Sequence, residues 1–82
     1  MQQLVREGTL YRDNNRRYCL YESGFPVEQT ITLTSGCSLE IWLNREWVTG
    51  HVEGDGQDYW LFAYRGGRFL LSERMKARYI IH

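Results

Sequence analysis

Residues 36–64 read GCSLEIWLNREWVTGHVEGDGQDYWLFAY, and apolar and polar side chains alternate along most of this stretch. A period of two is typical of a β-strand and places successive side chains on opposite faces. Two polar breaks, at Asn44-Arg45 and at residues 54–57, fit tight reversals of the chain. The stretch therefore predicts three antiparallel strands folded back on each other twice.

The two reversals also predict how these strands pair. A two-residue loop at Asn44-Arg45 predicts the pairs Trp42 with Trp47, Ile41 with Val48, and Leu39 with Gly50. A second turn closed at Glu53 and Asp58 predicts the pairs Val52 with Tyr59, Gly50 with Leu61, and Val48 with Ala63. The small residues Gly50 and Ala63 indicate a close approach of another strand.

Both faces of this predicted sheet are apolar. Aliphatic side chains occupy one face, and the other collects the aromatic residues Trp42, Trp47, Trp60, Phe62 and Tyr64, with His51 among them and Glu40 and Glu53 at the border. A small antiparallel sheet usually keeps one face in water. Three interpretations are open for the aromatic face: a core covered by the rest of the chain, a ligand site, or a self-association surface.

The 82 residues are enough for one domain, residues 1–82, with a single core. The start of the sequence resembles no signal peptide, and no apolar run is long enough to span a membrane, so we expect a cytoplasmic protein without a membrane partner. Cys19 and Cys37 lack the spacing of zinc ligands, and we expect them to be buried thiols.

The flanking segments predict further short strands. Residues 5–12 and 16–21 form a hairpin around Asp13-Asn14-Asn15, residues 27–34 form a strand after the break at Ser23-Gly24-Phe25-Pro26, and residues 77–81 form a closing strand. Ser72 begins a single helical turn. Leu10, Tyr18 and Leu20 give the hairpin an apolar side, and we expect it to pack over the aromatic face, so that deletion of residues 1–22 unfolds the protein.

Six or seven short strands indicate an all-β fold: a small SH3-like barrel or a strongly bent antiparallel sheet, with an added N-terminal β-hairpin. Residues 8–10, 17–18, 36–42, 46–48 and 59–61 (GTL, RY, GCSLEIW, EWV and YWL) resemble a family of small bacterial proteins known as domain of unknown function 5348. The resemblance implies a setting in bacteria and their phages or integrative elements. It implies no activity and no functional residues.

The C-terminal segment is basic, whereas residues 37–64 carry one Arg against five acids. Its cations are Arg65, Arg68, Arg74, Lys76 and Arg78. Arginines interleaved with aromatic residues are typical of contacts with a phosphate backbone, which makes these five the candidate nucleic-acid residues. A formal net charge of zero opposes this interpretation, and the same cations can pair with the acids of residues 40–58.

No motif places a nucleophile beside a histidine or a glycine-rich loop before a helix, so we expect no enzyme and no cofactor. His51, Glu53, Asp55 and Asp58 lie near one turn, but without the spacing of a calcium loop they predict a turn and not a metal site. The sequence favours a non-catalytic binding module for a protein or peptide segment. The alternative is a nucleic-acid-binding accessory protein of a phage or mobile element.

Overall fold

The computed structural model describes residues 4–22, 24 and 30–81. Within these ranges the chain forms eight strands and no helix. The strands are β1 (Leu4–Arg12), β2 (Tyr18–Tyr21), β3 (Ile31–Thr32), β4 (Ser38–Leu43), β5 (Glu46–Gly54), β6 (Tyr59–Ala63), β7 (Arg68–Leu70) and β8 (Lys76–Ile81). The breaks at residues 23 and 25–26 and the predicted strand start at residues 27–29 lie outside the described residues.

The strands form one antiparallel sheet in the order β3-β2-β1-β8-β4-β5-β6-β7, which is bent but not closed. The prediction of an all-β fold is confirmed. Of the two predicted forms, the structure has the bent antiparallel sheet with an added hairpin. The last strand, β8, lies in the middle because it pairs with β1 on one side and β4 on the other. The sheet ends at β3 and β7.

The core lies on the inner face of the bent sheet. Its fully buried side chains are aliphatic and come from both halves of the sheet: Leu10, Leu20, Leu33, Leu39, Ile41, Val48, Val52 and Leu61. Tyr18 joins them from β2, and its hydroxyl donates a hydrogen bond to the carbonyl oxygen of Leu71 at 3.1 Å. The aliphatic face predicted for β4 and β5 is therefore the inner face.

The expectation that the N-terminal hairpin covers the aromatic face is wrong. The hairpin extends the same sheet through the pairing of β1 with β8, and therefore its apolar side continues the inner face. Leu10 and Leu20 pack into the aliphatic core, and the Tyr18 ring lies 5.9 Å from the Tyr59 ring. The aromatic face is left on the outside of the bend.

The first predicted register is confirmed, with Trp42 opposite Trp47 and Leu39 opposite Gly50. Asn44 and Arg45 both have positive φ, at 52° and 65°, as a two-residue hairpin loop of this kind requires. The second register is wrong by two residues, because Gly50 pairs with Ala63 and Gly54 with Tyr59. The turn is built one residue later than predicted, around the carboxylate of Asp55.

The hairpin strands and the closing strand are confirmed within a few residues. The predicted helical turn at Ser72 is wrong. Arg74 has a φ of 72°, which is incompatible with a right-handed helix, and the segment is a reverse turn bound to β1. The Arg74 N–H donates to the Leu10 carbonyl at 2.7 Å, and the Leu10 N–H donates to the Met75 carbonyl at 2.9 Å.

Candidate functional site

The five aromatic residues singled out in the sequence lie together on the outer face of β4, β5 and β6. They alternate with the buried residues Ile41, Val48 and Leu61, and for this reason they point away from the core. The exposed fraction is 42% for Trp42, 36% for Phe62 and 66% for Tyr64, while Trp47 and Trp60 are half-buried. We call these five side chains the outer aromatic face.

At one end of this face, the rings of Trp42 and Trp47 meet edge to face, with centroids 5.2 Å apart. The predicted cross-strand contact beside the turn is confirmed, since it lies well inside the range of favourable aromatic pairs.

Trp47 also carries a cation supplied by the chain itself. The Arg78 guanidinium lies 3.8 Å from the centre of the Trp47 ring and forms an ion pair with Glu40, with Nη2 at 2.8 Å from Oε1. Thr49 Oγ1 donates to the other oxygen of Glu40 at 2.7 Å. A carboxylate, a cation and an aromatic ring thus form one unit on this half of the face, in which Nε of Arg78 is buried without a hydrogen-bond partner.

The other half of the face contains an open groove of about 370 Å³. It is lined by His51, Glu53, Trp60, Phe62 and Arg68, together with the backbone at Gly54 and Asp55. The His51 ring stacks on Phe62, with centroids 5.7 Å apart and planes at 15°. The Arg68 guanidinium lies 4.5 Å from the centre of the Trp60 ring.

The position of Trp60 is determined by Asp55. One Asp55 oxygen accepts the backbone N–H groups of Gln57 and Asp58 at 2.9 and 2.6 Å, and the other accepts the Trp60 indole N–H at 2.9 Å. The β5–β6 turn and the aromatic wall of the groove are therefore held by the same carboxylate.

The sequence matches the family described as Domain of unknown function (DUF5348) over residues 8–79. The chain belongs to this family. No curated protein and no solved structure matches the chain. The match covers the outer aromatic face and the groove. Because the DUF5348 family is described only as a domain of unknown function, it assigns no activity to these residues.

The five candidate nucleic-acid residues of this DUF5348 chain do not form one group, although Lys76 and Arg78 both lie over the Trp47 ring, at 5.9 and 3.8 Å from its centre. Arg65 forms an ion pair with Glu46, Lys76 pairs with Glu7 at 3.6 Å, and Arg78 pairs with Glu40. Arg68 lies on Trp60, and Arg74 is exposed in the turn before β8. The pairing of Arg65 and Arg78 with acids of residues 40–58 is the arrangement that the sequence offered as an alternative to phosphate contacts.

Leu70 was not singled out in the sequence, and Glu53 was considered there only at the border of the aromatic face and near the turn that follows it. Leu70 on β7 is 47% exposed beside Trp60, with which it pairs, and Glu53 pairs across the strands with the same tryptophan. The alternation of Arg68, Phe69 and Leu70 after the Gly66-Gly67 turn is the signal that places Leu70 on this face.

Cys19 and Cys37 are free thiols, buried and half-buried respectively. Burial raises the pKa of both thiols above the ordinary value, which disfavours the reactive thiolate. Among the residues that the structure describes, no group of three or more His, Cys, Asp or Glu side chains is arranged to hold a metal ion. The described residues also contain no helix that is long and apolar enough to cross a membrane.

The Asp55 turn should make stability depend on pH. Hydrogen bonds, first from the Asp58 backbone and then from the Trp60 indole, lower the pKa of Asp55 from 3.8 to about 2. Because the folded pKa lies below the ordinary value, this stabilisation is complete above pH 4 or so and is lost as the pH falls through about 2.

We expect Asp55→Asn to lower the thermal midpoint at neutral pH and to reduce its fall between about pH 4 and pH 2. Circular dichroism melts at several pH values measure both effects. Glu46→Gln removes the same charge at the far end of β5 and serves as the control. A pH profile of Asp55→Asn identical to that of the wild type would contradict the role of this carboxylate.

Proposed function

We propose that this chain is a non-catalytic binding module that holds a protein or peptide segment on its outer aromatic face. The observation that carries the proposal is the exposure of Trp42, Phe62 and Tyr64 on one face of a sheet whose other face already contains the core. Contiguous exposed aromatic surface is uncommon on a soluble domain of this size and is characteristic of interaction sites.

The composition of the face favours a protein ligand. Tryptophan, tyrosine, phenylalanine and arginine are the residues enriched at protein interfaces, and they contribute most of the binding energy there. The outer aromatic face consists of the first three, with Arg68 and Arg78 lying on its tryptophans. Trp42 and Trp47 pack against each other and Trp60 is held by a hydrogen bond, so these three side chains lose little entropy when a ligand binds.

A nucleic acid is the second candidate, because bases also stack on exposed aromatic rings. It ranks lower because Arg65, Lys76 and Arg78 already have acidic partners. A phosphate backbone would have to compete with those carboxylates for each cation, and the formal net charge of zero gives no long-range attraction.

The non-catalytic part of the proposal is supported by the state of the two thiols, whose pKa values are raised by burial. Their free state also fits a reducing compartment, and we extend the proposal to a cytoplasmic location. A bacterial or mobile-element setting is proposed on the sequence resemblance alone.

Selection from a phage-displayed library of random heptapeptides tests the function. We expect peptides selected on the wild type to bind the double variant Phe62→Ser, Tyr64→Ser about tenfold more weakly or worse. The reason is that each aromatic residue of this kind contributes about 1 kcal/mol or more at an interface. Ser72→Ala combined with Thr34→Ala changes two exposed residues away from the face and serves as the control.

Three outcomes would contradict the proposal. Equal affinity of selected peptides for the wild type and the Phe62→Ser, Tyr64→Ser variant would place binding elsewhere. Salt-sensitive binding of a dodecathymidine strand with no peptide enrichment would favour the nucleic acid. A dimer in analytical ultracentrifugation that this double variant dissociates would make a second copy of the chain the occupant.

A further inference from the structure

Glu53 stands apart among the acidic residues of the chain. The structure describes nine carboxylate side chains, those of Glu7, Asp13, Glu22, Glu40, Glu46, Glu53, Asp55, Asp58 and Glu73. Eight of these nine accept a hydrogen bond or form an ion pair, and within the described ranges Glu53 alone does neither. Glu53 is nevertheless half-buried, in the wall of the groove beside Trp60.

The same face contains another carboxylate beside a tryptophan, and that carboxylate has a cation. Around Trp47, the Glu40 carboxylate pairs with a guanidinium that lies over the indole ring. Around Trp60, a carboxylate again sits beside the indole, directly across from it in the β5–β6 register. What the second unit lacks is a cation bonded to its carboxylate.

Arg68 does not supply that cation. Its guanidinium lies on the Trp60 ring, and no ion pair joins it to Glu53 among the described residues. The groove beyond it is walled by the stacked rings of His51 and Phe62. The Phe62 ring can attract a cation, and both rings offer apolar surface to its alkyl stem. An added cation would therefore meet a carboxylate and aromatic surface together.

We propose that the groove of His51, Glu53, Trp60 and Phe62 binds a lysine or arginine side chain of a partner protein segment, with Glu53 as its counter-ion. The inference rests on the proposed function and specifies its ligand. Binding would give the half-buried carboxylate its ion-pair partner and would cover the exposed part of the Phe62 ring with the alkyl stem of the ligand.

The test uses two end-blocked tripeptides, acetyl-Val-Arg-Val-amide and the same peptide with citrulline in place of arginine. Citrulline keeps the shape of arginine but carries no charge, because a carbonyl oxygen replaces one NH₂ group of the guanidinium. We expect titration of ¹⁵N-labelled protein to shift the Trp60 indole and the Glu53 amide signals, with the arginine peptide bound about fivefold more tightly or better.

Glu53→Gln should abolish the preference for arginine, and Glu53→Asp should retain part of it. Glu46→Gln, which removes a charge on the same strand but outside the groove, should keep the full preference. Thermal melts confirm that the variants are folded. Equal affinity for the two peptides, or a preference that survives Glu53→Gln, would overturn the inference.

These failures differ from a failure of the proposed function. If both tripeptides shift the groove signals equally, the cation preference is wrong while the binding face stands. If neither peptide shifts any signal of the outer aromatic face, the inference is again overturned, and the heptapeptide selection decides independently whether the face binds a different peptide. Shifts produced there by dodecathymidine alone would overturn both proposals in favour of a nucleic acid.

Discussion

Gly50→Ala is expected to unfold the protein or to lower its free energy of unfolding, measured in urea, by at least about 3 kcal/mol. A Cβ atom at Gly50 would lie 2.1 Å from the carbonyl oxygen of Phe62 and 2.9 Å from the Cα of Ala63. All three of its nearest neighbours are backbone atoms of β6, so no side-chain rotation relieves the overlap. The two strands would have to separate where the sheet bends.

Gly54→Ala, on the same strand, is the matched control. Its Cβ would meet side-chain atoms of the Tyr59 ring at 3.1 Å and no backbone atom among its three nearest neighbours, so a shift of a few tenths of an ångström relieves the contact. We therefore expect a cost below about 1 kcal/mol for this change. If the two variants unfold at similar urea concentrations, the close approach of β5 and β6 at Gly50 is not what the structure describes.

Leu10→Ala is expected to destabilise the protein by about 2 to 5 kcal/mol, the usual cost of a cavity in a core. Leu10 is 0% exposed and belongs to the same buried core cluster as Leu39 and Leu61, which lie on the other half of the bent sheet. Its loss would leave a void where the hairpin closes over the aliphatic face. Deletion of residues 1–22 removes Leu20 as well and should unfold the chain altogether.

Leu70→Ala makes the same chemical change on the exposed outer face and should lower the free energy of unfolding by less than about 1 kcal/mol. Urea unfolding followed by circular dichroism compares the two leucines. Equal destabilisation by Leu10→Ala and Leu70→Ala would show that the hairpin does not pack on the inner face.

The local sequence pattern was sufficient to predict the register of the β4–β5 hairpin but not that of the β5–β6 hairpin. A two-residue loop at Asn44-Arg45 fixes the closing residue pair, and therefore only one register of the flanking strands is possible. The longer turn at residues 54–58 admits more than one closing pair, and the hydrogen bonds of the Asp55 side chain decide between them. Sequence alternation does not reveal which backbone groups a turn carboxylate will accept.

The position of the N-terminal hairpin could not be predicted from local sequence patterns. Its apolar side was evident in Leu10, Tyr18 and Leu20, but the face it covers depends on the pairing of β1 with β8, from opposite ends of the sequence. The members of the outer aromatic face could be predicted from alternation, whereas their exposure could not. Exposure is a property of the whole sheet and of the direction in which it bends.

The short edge strand β7 limits the ways in which the proposed binding module can distinguish one partner from another. With three residues, it presents few unpaired backbone groups beside the outer aromatic face, and a partner that added a strand there would gain little main-chain bonding. Discrimination would then fall to individual side chains in the groove. For the binding module that we propose, a single substitution in the groove would then be enough to change the preferred partner, without disturbing the strands that support it.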